Sequence, residues 1–167
     1  MDKNILLIGF MGAGKTTVSK GLSKMTDMKE IDMDAYIVKK EGMDITEIFD
    51  KFGEEYFRKK ETECLIEIMR ENNCIVSCGG GVVVKDENVE HMKNGGKIVL
   101  LTATPETTLE RVKNSTDRPI LNGNMNVEFI AKLMEKRKER YLAVADIIVE
   151  TDNKDVKEIC KEILERL

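Results

Sequence analysis

The chain has 167 residues, of which 41% are hydrophobic and 35% charged, and its formal net charge is −4. This length predicts a single domain over residues 1–167 that buries its own core. The acidic balance disfavours nucleic acid as a partner. No apolar run approaches the roughly 18–20 residues of a membrane span, and no leader-like segment is visible, so we expect a cytoplasmic protein without a membrane partner.

The cysteines are expected to be free thiols. A chain of this size with ordinary core residues does not need a disulfide framework. Cys74 and Cys78 are not followed by a second Cys or His pair at zinc-ligand spacing, which disfavours a zinc site.

Strands and helices are expected to alternate along the chain. Short apolar runs predict buried strands, and segments with helical periodicity lie between them. In chain order, the predicted elements are strand Asn4–Phe10, helix Lys15–Met25, strand Lys29–Met33, helices Ala35–Glu41 and Thr46–Glu71, strand Cys74–Cys78, helix Glu87–Asn94, strand Lys97–Leu101, helices Pro105–Lys113 and Val127–Leu142, strand Asp146–Glu150 and helix Lys154–Leu167. This order predicts an α/β fold with a doubly wound parallel sheet and ligands at the carboxyl ends of its strands.

Two segments depart from this regular pattern. Gly53 is expected to place a turn inside the long helix Thr46–Glu71. Residues 114–126 are rich in Pro, Gly and Asn, which predicts an exposed loop that closes over substrates as a lid.

Residues Gly9–Thr16 read GFMGAGKT and match the phosphate-binding pattern GxxxxGKT between an apolar strand and a helix. In such a loop, backbone amides surround the β-phosphate and the helix dipole adds positive potential. Lys15 is expected to bridge the β- and γ-phosphates, and the Thr16 hydroxyl to ligate Mg²⁺. The expected nucleotide-binding residues are Gly12, Ala13, Gly14, Lys15, Thr16 and Thr17. The loop contacts phosphates that all nucleotides share, so base choice has to come from elsewhere. No guanine-reading NKxD-like segment follows the later strands, which disfavours a GTPase switch.

Asp32 and Asp34 lie at the carboxyl end of the short second predicted strand, where a parallel sheet presents side chains to the phosphate crevice. One interpretation has Asp32 hold Mg²⁺ through water while Asp34 accepts the proton of an attacking hydroxyl. The alternative is that Asp34 caps the helix that begins at Ala35.

Further candidates come from the middle of the chain. Arg58 and Glu61 are spaced to face the same way on a helix, as a positioned guanidinium or a surface ion pair. Gly79–Gly81 follow a strand, which indicates close backbone approach by a ligand or a plain flexible turn. Arg118, in the predicted lid, would neutralise charge on the transferring phosphoryl group, and Arg111 would stack on the base.

These motifs together resemble the shikimate kinase family over essentially the whole chain. They are Gly9–Thr17, Asp32–Asp34, Phe57–Glu61, Gly79–Gly81 and Arg118–Leu121. The resemblance implies the three-layer fold of nucleoside monophosphate kinases, with a five-stranded parallel sheet in the order 2-3-1-4-5. It also implies Mg²⁺-dependent transfer of phosphate from ATP to the 3-hydroxyl of shikimate, a step in chorismate and aromatic amino acid biosynthesis.

The resemblance also implies roles for single residues. Asp34, Arg58 and Gly80, within the helical region 33–62 and the glycine segment, would bind shikimate, and Arg118 would bind ATP. Arg137 would join Arg58 at the substrate carboxylate, where two guanidinium groups fix both charge and orientation.

The chain departs from the family at two places. Arg137–Tyr141 replaces the family's Arg-x-Pro-Leu-Tyr, so Arg140 is an alternative carboxylate ligand. Asp152, Asn153 and Lys154 stand where the family often has arginines beside adenine.

Three other functions remain open at this point: a gluconate kinase, a nucleoside monophosphate kinase, and a catalytically silent nucleotide-binding regulatory module. The Asp32–Asp34 pair, the segment Phe57–Glu61 and Gly79–Gly81 disfavour the two other kinases. The joint presence of Lys15, Thr16, Asp34, Arg58 and Arg118 disfavours a silent module. We expect a monomer.

Overall fold

Strands and helices alternate as expected in the computed structural model, which describes residues 3–113 and 125–167. Within these residues the strands are β1 Asn4–Ile8, β2 Lys29–Asp32, β3 Cys74–Ser77, β4 Gly96–Thr102 and β5 Ile147–Glu150. The α-helices are α1 Lys15–Met25, α2 Met33–Glu41, α3 Ile45–Ile68, α4 Asp86–Gly95, α5 Pro105–Val112, α6 Val127–Val144 and α7 Val156–Arg166. A 3₁₀ turn at Val82–Val84, which the sequence pattern did not predict, follows β3.

The five strands form one parallel sheet in the order β2-β3-β1-β4-β5, as the resemblance implied. The central strand β1 pairs with β3 through Leu6 and Val76 and with β4 through Leu6 and Ile98. All five residues of β1 are buried, which explains their continuous apolar run. Because every strand runs the same way, the segments that follow β1, β2 and β3 meet at one edge of the sheet.

Alternate residues of β1 point into two hydrophobic layers. Leu6 and Ile8 belong to the layer that packs against α3, α4 and α6, and Ile5 and Leu7 belong to the layer under α1 and α7. Each fully buried Leu or Ile contributes about 1.5–3 kcal/mol by leaving water. The two layers therefore hold the sheet edge, and the loops on it, in fixed positions.

A third, smaller cluster joins α2 to α3. Ile37 and Ile48 are fully buried there, with Phe57 and Cys64 against them. Gly53 interrupts α3 with φ 84° and ψ 173°, which confirms the turn predicted at this glycine. The cluster orients the part of α3 that carries Arg58.

Two further features concern the cysteines and the helices of the described residues. The four cysteines Cys64, Cys74, Cys78 and Cys160 are buried and free, as predicted. In residues 3–113 and 125–167, no helix is both long and apolar enough to span a membrane.

Candidate active site

The phosphate-binding loop joins β1 to α1. Gly12 has φ 81° and Gly14 has φ 97°, backbone conformations that favour glycine, and Gly14 caps α1. A Cβ atom on Gly12 would lie 2.7 Å from Cγ1 of Val112, so this glycine also gives α5 room to approach. The Lys15 ammonium donates to the Gly9 carbonyl at 2.6 Å and to the Phe10 carbonyl at 3.1 Å. The loop thus places a cation and the first amides of α1 at the sheet edge.

The Thr16 hydroxyl lies beside the Asp32 carboxylate. Thr16 Oγ1 donates to Asp32 Oδ2 at 3.1 Å, while Asp32 Oδ1 accepts from the backbone N–H of Ala35 at 3.1 Å. Asp32 is therefore the cap of α2, and the alternative that Asp34 caps this helix is wrong. Asp34 lies in the first turn of α2 because the helix begins at Met33.

The glycine segment after β3 leaves room for four charged side chains. A Cβ atom on Gly79 would lie 2.7 Å from Glu61 Oε2 and 3.4 Å from Asp34 Oδ1. On Gly80 it would lie 3.4 Å from Arg137 Nη1, and on Gly81 only 2.5 Å from Arg58 Nη1. Neither Gly80 nor Gly81 has a positive φ. At Gly79 and Gly81, glycine is therefore required for space rather than for backbone conformation, whereas at Gly80 a Cβ atom would make only an ordinary contact.

Arg58 and Glu61 form a buried ion pair, so the interpretation as a surface pair is wrong. Arg58 Nη1 lies 3.0 Å from Glu61 Oε1, and the two side chains are 13% and 1% exposed. Burial raises the pKa of Glu61, and the neighbouring Arg58 guanidinium opposes that rise. Within the described residues, Glu61 Oε2 is buried without a hydrogen-bond partner. Arg58 is held in one place by this carboxylate.

Of the two candidate arginines on α6, Arg137 is the one that lies at the glycine segment. Its Nη1 is buried and, in the described part of the chain, has no hydrogen-bond partner. Arg140 is turned elsewhere, because its Nε donates to the Val83 carbonyl at 2.6 Å and its guanidinium pairs with Asp86. The Tyr141 hydroxyl donates to the Gly80 carbonyl. These contacts attach α6 to the segment after β3.

A cavity of about 780 Å³ lies at this edge of the sheet. Its lining includes the phosphate-binding loop, Asp32, Asp34, Gly79 and Gly80. Arg58, Gly81 and Arg137 lie next to the cavity rather than in its lining. Further lining residues that the sequence patterns did not indicate are Asp44, Ile45, Thr46 and Thr151. No local signal marks them, because they reach the cavity only through the packing of α3 and the end of β5.

Arg111 reaches the phosphate-binding loop from α5. Its Nη1 donates to the Gly12 carbonyl at 3.0 Å and to Thr151 Oγ1 at 3.1 Å. Lys154 lines the same cavity and pairs with Glu162 at 2.9 Å. Arg118 and residues 114–124 of the predicted lid lie outside the described residues.

A parallel sheet in the order 2-3-1-4-5, with a GxxxxGKT loop after its central strand, defines a P-loop kinase of the nucleoside monophosphate kinase type. The sequence profile of the shikimate kinase family matches residues 11–167. The chain belongs to the shikimate kinase family.

Individual relatives cover nearly the whole chain. A shikimate kinase of Dehalococcoides mccartyi (strain BAV1) is 42% identical over 98% of this chain and 93% of its own length. The shikimate kinase of Francisella tularensis subsp. novicida is 43% identical over 96% of this chain and 92% of its own length. Among solved structures, shikimate kinase from Acinetobacter baumannii in complex with shikimate superimposes with a TM-score of 0.95 at 33% identity, over 99% of this chain and 92% of that one. Shikimate kinase from Aquifex aeolicus superimposes with a TM-score of 0.84 at 39% identity, over 98% of this chain and 95% of that one.

Proposed function

We propose that this chain transfers the γ-phosphoryl group of ATP to the 3-hydroxyl of shikimate, giving shikimate 3-phosphate and ADP. The observation that carries the proposal is the convergence of Arg58, Arg137 and Asp34 on the glycine segment beside the phosphate-binding loop. Two guanidinium groups can bind a substrate carboxylate through charged hydrogen bonds, and the Asp34 carboxylate can accept the proton of a substrate hydroxyl. The family membership supports this substrate over gluconate, a nucleotide or a purely regulatory role.

The nucleotide half of the site is formed by Gly12–Thr17. On binding, the Lys15 ammonium exchanges the carbonyl oxygens of its own loop for β- and γ-phosphate oxygens, which carry more charge. Arg111, already fixed at the loop by Gly12 and Thr151, lies beside the nucleotide. Arg118, from the predicted lid, contributes a further cation to the phosphates.

Mg²⁺ fits the oxygen atoms at the start of α1 and α2. Thr16 Oγ1 and Asp32 Oδ2 are 3.1 Å apart, and Mg²⁺ prefers hard oxygen ligands from a few protein groups together with phosphates and water. Among the described residues, no three His, Cys, Asp or Glu side chains cluster as a protein-only metal site. When bound, the ion neutralises phosphate charge. Thr16 and Asp32 are the residues that would hold the ion.

The acid half of the site orients shikimate for attack. Arg58 and Arg137 bind its carboxylate, and the Gly79–Gly81 backbone contacts the ring. Asp34 accepts the proton of the 3-hydroxyl as the hydroxyl oxygen forms a bond to the γ-phosphorus. The bond from that phosphorus to the bridging β-γ oxygen breaks, and ADP leaves with the electron pair. Positioning and charge stabilisation supply most of the rate enhancement in such transfers.

The proposal is tested by ADP release from ATP and Mg²⁺ with shikimate, quinate, gluconate, AMP or CMP as acceptor. Shikimate alone should stimulate release. Asp34→Asn should lower turnover about 10²–10⁴-fold, the usual contribution of a positioned proton acceptor. The matched control is Asp146→Asn, because Asp146 accepts from the Ile98 N–H at the opposite edge of the sheet and asparagine can do the same. Stimulation by gluconate or a nucleotide instead would overturn the proposal.

A further inference from the structure

A buried polar bridge lies close to Arg58 and the glycine segment Gly79–Gly81. It consists of Thr62 on α3 and Asn88 on α4, which are 7% and 1% exposed. Thr62 Oγ1 lies 2.7 Å from Asn88 Oδ1 and 3.1 Å from the Arg58 carbonyl oxygen. Asn88 Nδ2 donates to the Val82 carbonyl at 2.9 Å. The bridge therefore links α3, α4 and the 3₁₀ turn after the glycine segment.

The partners determine how the bridge is oriented. The Val82 carbonyl can only accept, so the amide nitrogen of Asn88 must face it and the amide oxygen must face Thr62. That oxygen and the Arg58 carbonyl are both acceptors, and the single hydroxyl proton of Thr62 goes to the Asn88 oxygen, which is nearer, at 2.7 Å against 3.1 Å. Each of the two side chains fits this arrangement only in one orientation, and neither could be replaced by an apolar group without leaving a buried polar partner unsatisfied.

The bridge joins the two sides of the carboxylate pocket, which are Arg58 on α3 and the glycine segment Gly79–Gly81. Thr62 lies one helical turn after Arg58 and contacts the Arg58 carbonyl. Val82 directly follows Gly81, against which the Arg58 guanidinium packs so closely that a Cβ atom would lie 2.5 Å from it. The length of the bridge therefore sets the distance between the helix that carries Arg58 and the glycine segment that Arg58 contacts.

We propose that Thr62 and Asn88 are positioning residues for the acid substrate: they fix the spacing of the carboxylate pocket and so determine its affinity for the carboxylate. This inference rests on the proposed function. The hydrogen bonds of the bridge join α3, α4 and the 3₁₀ turn, whereas the phosphate-binding loop lies between β1 and α1 and Asp34 lies on α2. Loss of the bridge should therefore weaken binding of the acid and leave ATP binding as it is.

The test is steady-state kinetics with shikimate and ATP varied in turn, together with calorimetric titration of shikimate. Thr62→Val keeps the volume and removes the hydroxyl, and Asn88→Ala removes the amide. Both should raise KM and Kd for shikimate by about 10-fold, the effect of about 1.4 kcal/mol, and change KM for ATP less than about twofold. Thr62→Ser keeps the hydroxyl and should restore the wild-type KM. Thr62→Ala replaces Thr62→Val if that variant does not fold.

The matched control is Asn4→Ala. Asn4 is 1% exposed and also bridges two backbone groups, the Glu71 carbonyl and the Cys74 N–H, each at 2.9 Å, but at the opposite end of the sheet. It should lower the denaturation temperature like Asn88→Ala without changing KM for shikimate. Equal KM values in Asn88→Ala and Asn4→Ala would overturn the inference while leaving the proposed function intact. A wild-type protein that does not phosphorylate shikimate would overturn the proposed function, and this inference with it.

Discussion

Substitution of Gly81 by alanine should impair catalysis much more than it impairs folding. The added methyl carbon would lie 2.5 Å from both terminal nitrogens of Arg58 and 2.6 Å from Cζ. Non-bonded heavy atoms settle at about 3.5–4.0 Å, so the guanidinium must retreat by roughly 1 Å. A misplacement of about 1 Å costs on the order of 100-fold in rate, and we expect that loss in kcat/KM for shikimate. Because Arg58 can yield by leaving its preferred rotamer, the free energy of unfolding should fall by only about 1 kcal/mol.

Gly42→Ala is the matched control. Gly42 ends α2 with φ 70° and has open space where a Cβ atom would be, so alanine there is strained by backbone conformation alone, at a cost of about 1 kcal/mol. Both variants should therefore melt a few degrees below the wild type, by about 2–4 °C per kcal/mol in a chain of this size. Only Gly81→Ala should lose activity. If Gly81→Ala kept kcat/KM for shikimate within about threefold of the wild type, the argument that this glycine makes room for Arg58 would be refuted.

Three further predictions concern charges and thiols. Arg137→Ala should raise KM for shikimate about 10–100-fold, the value of a lost charged hydrogen bond, whereas Arg140→Ala should change it less than about threefold; similar KM values in the two variants would contradict the assignment. Burial raises the pKa of Glu61, so its carboxyl group binds a proton more tightly in the folded state than in the unfolded state. The free energy of unfolding of the wild type should therefore fall as pH rises through the raised pKa of Glu61. Urea unfolding from about pH 4 to 8 should show a flatter stability profile for Glu61→Gln, and parallel profiles would disprove the shift. Burial raises the pKa of Cys78 to about 12, so native protein should not react with a thiol reagent near neutral pH, whereas denatured protein should expose all four thiols. Rapid labelling of the native protein would contradict this.

The fold and the phosphate-binding loop could be predicted because their signals are local. The apolar run of β1 and the GxxxxGKT motif need only neighbouring residues, and Gly53 marks its own turn. The strand Asn4–Phe10 was predicted too long because Gly9, with φ 150°, already leaves the strand. A Cβ atom there would lie 2.5 Å from the Leu101 carbonyl, a contact with another strand that the local pattern does not contain.

The details of the acid site depend on contacts between distant residues. Which of Asp32 and Asp34 caps α2 depends on where β2 ends, and β2 continues to Asp32 because that residue pairs with Ser77 in β3. Arg137 and Arg140 cannot be distinguished by spacing, because the choice depends on which one meets the segment after β3. The Arg58–Glu61 pair likewise becomes buried only when the Gly79–Gly81 segment packs against α3.

The partnership of Thr62 and Asn88 has no sequence signature. Each is an ordinary polar residue on a helix, and the two are far apart in the chain. Only the packing of α3 against α4 brings them together, and their burial makes each hydrogen bond costly to lose. Positioning residues of this kind therefore have to be found from the structure.

Phosphorus NMR of a reaction with ATP, Mg²⁺ and shikimate tests the central claim most directly. A new phosphomonoester signal, coupled to the proton on ring carbon 3, should grow in step with ADP, and it should grow at least about 100-fold more slowly with Asp34→Asn. Release of inorganic phosphate without the ester, or a phosphoryl group on another position of the ring, would contradict the account.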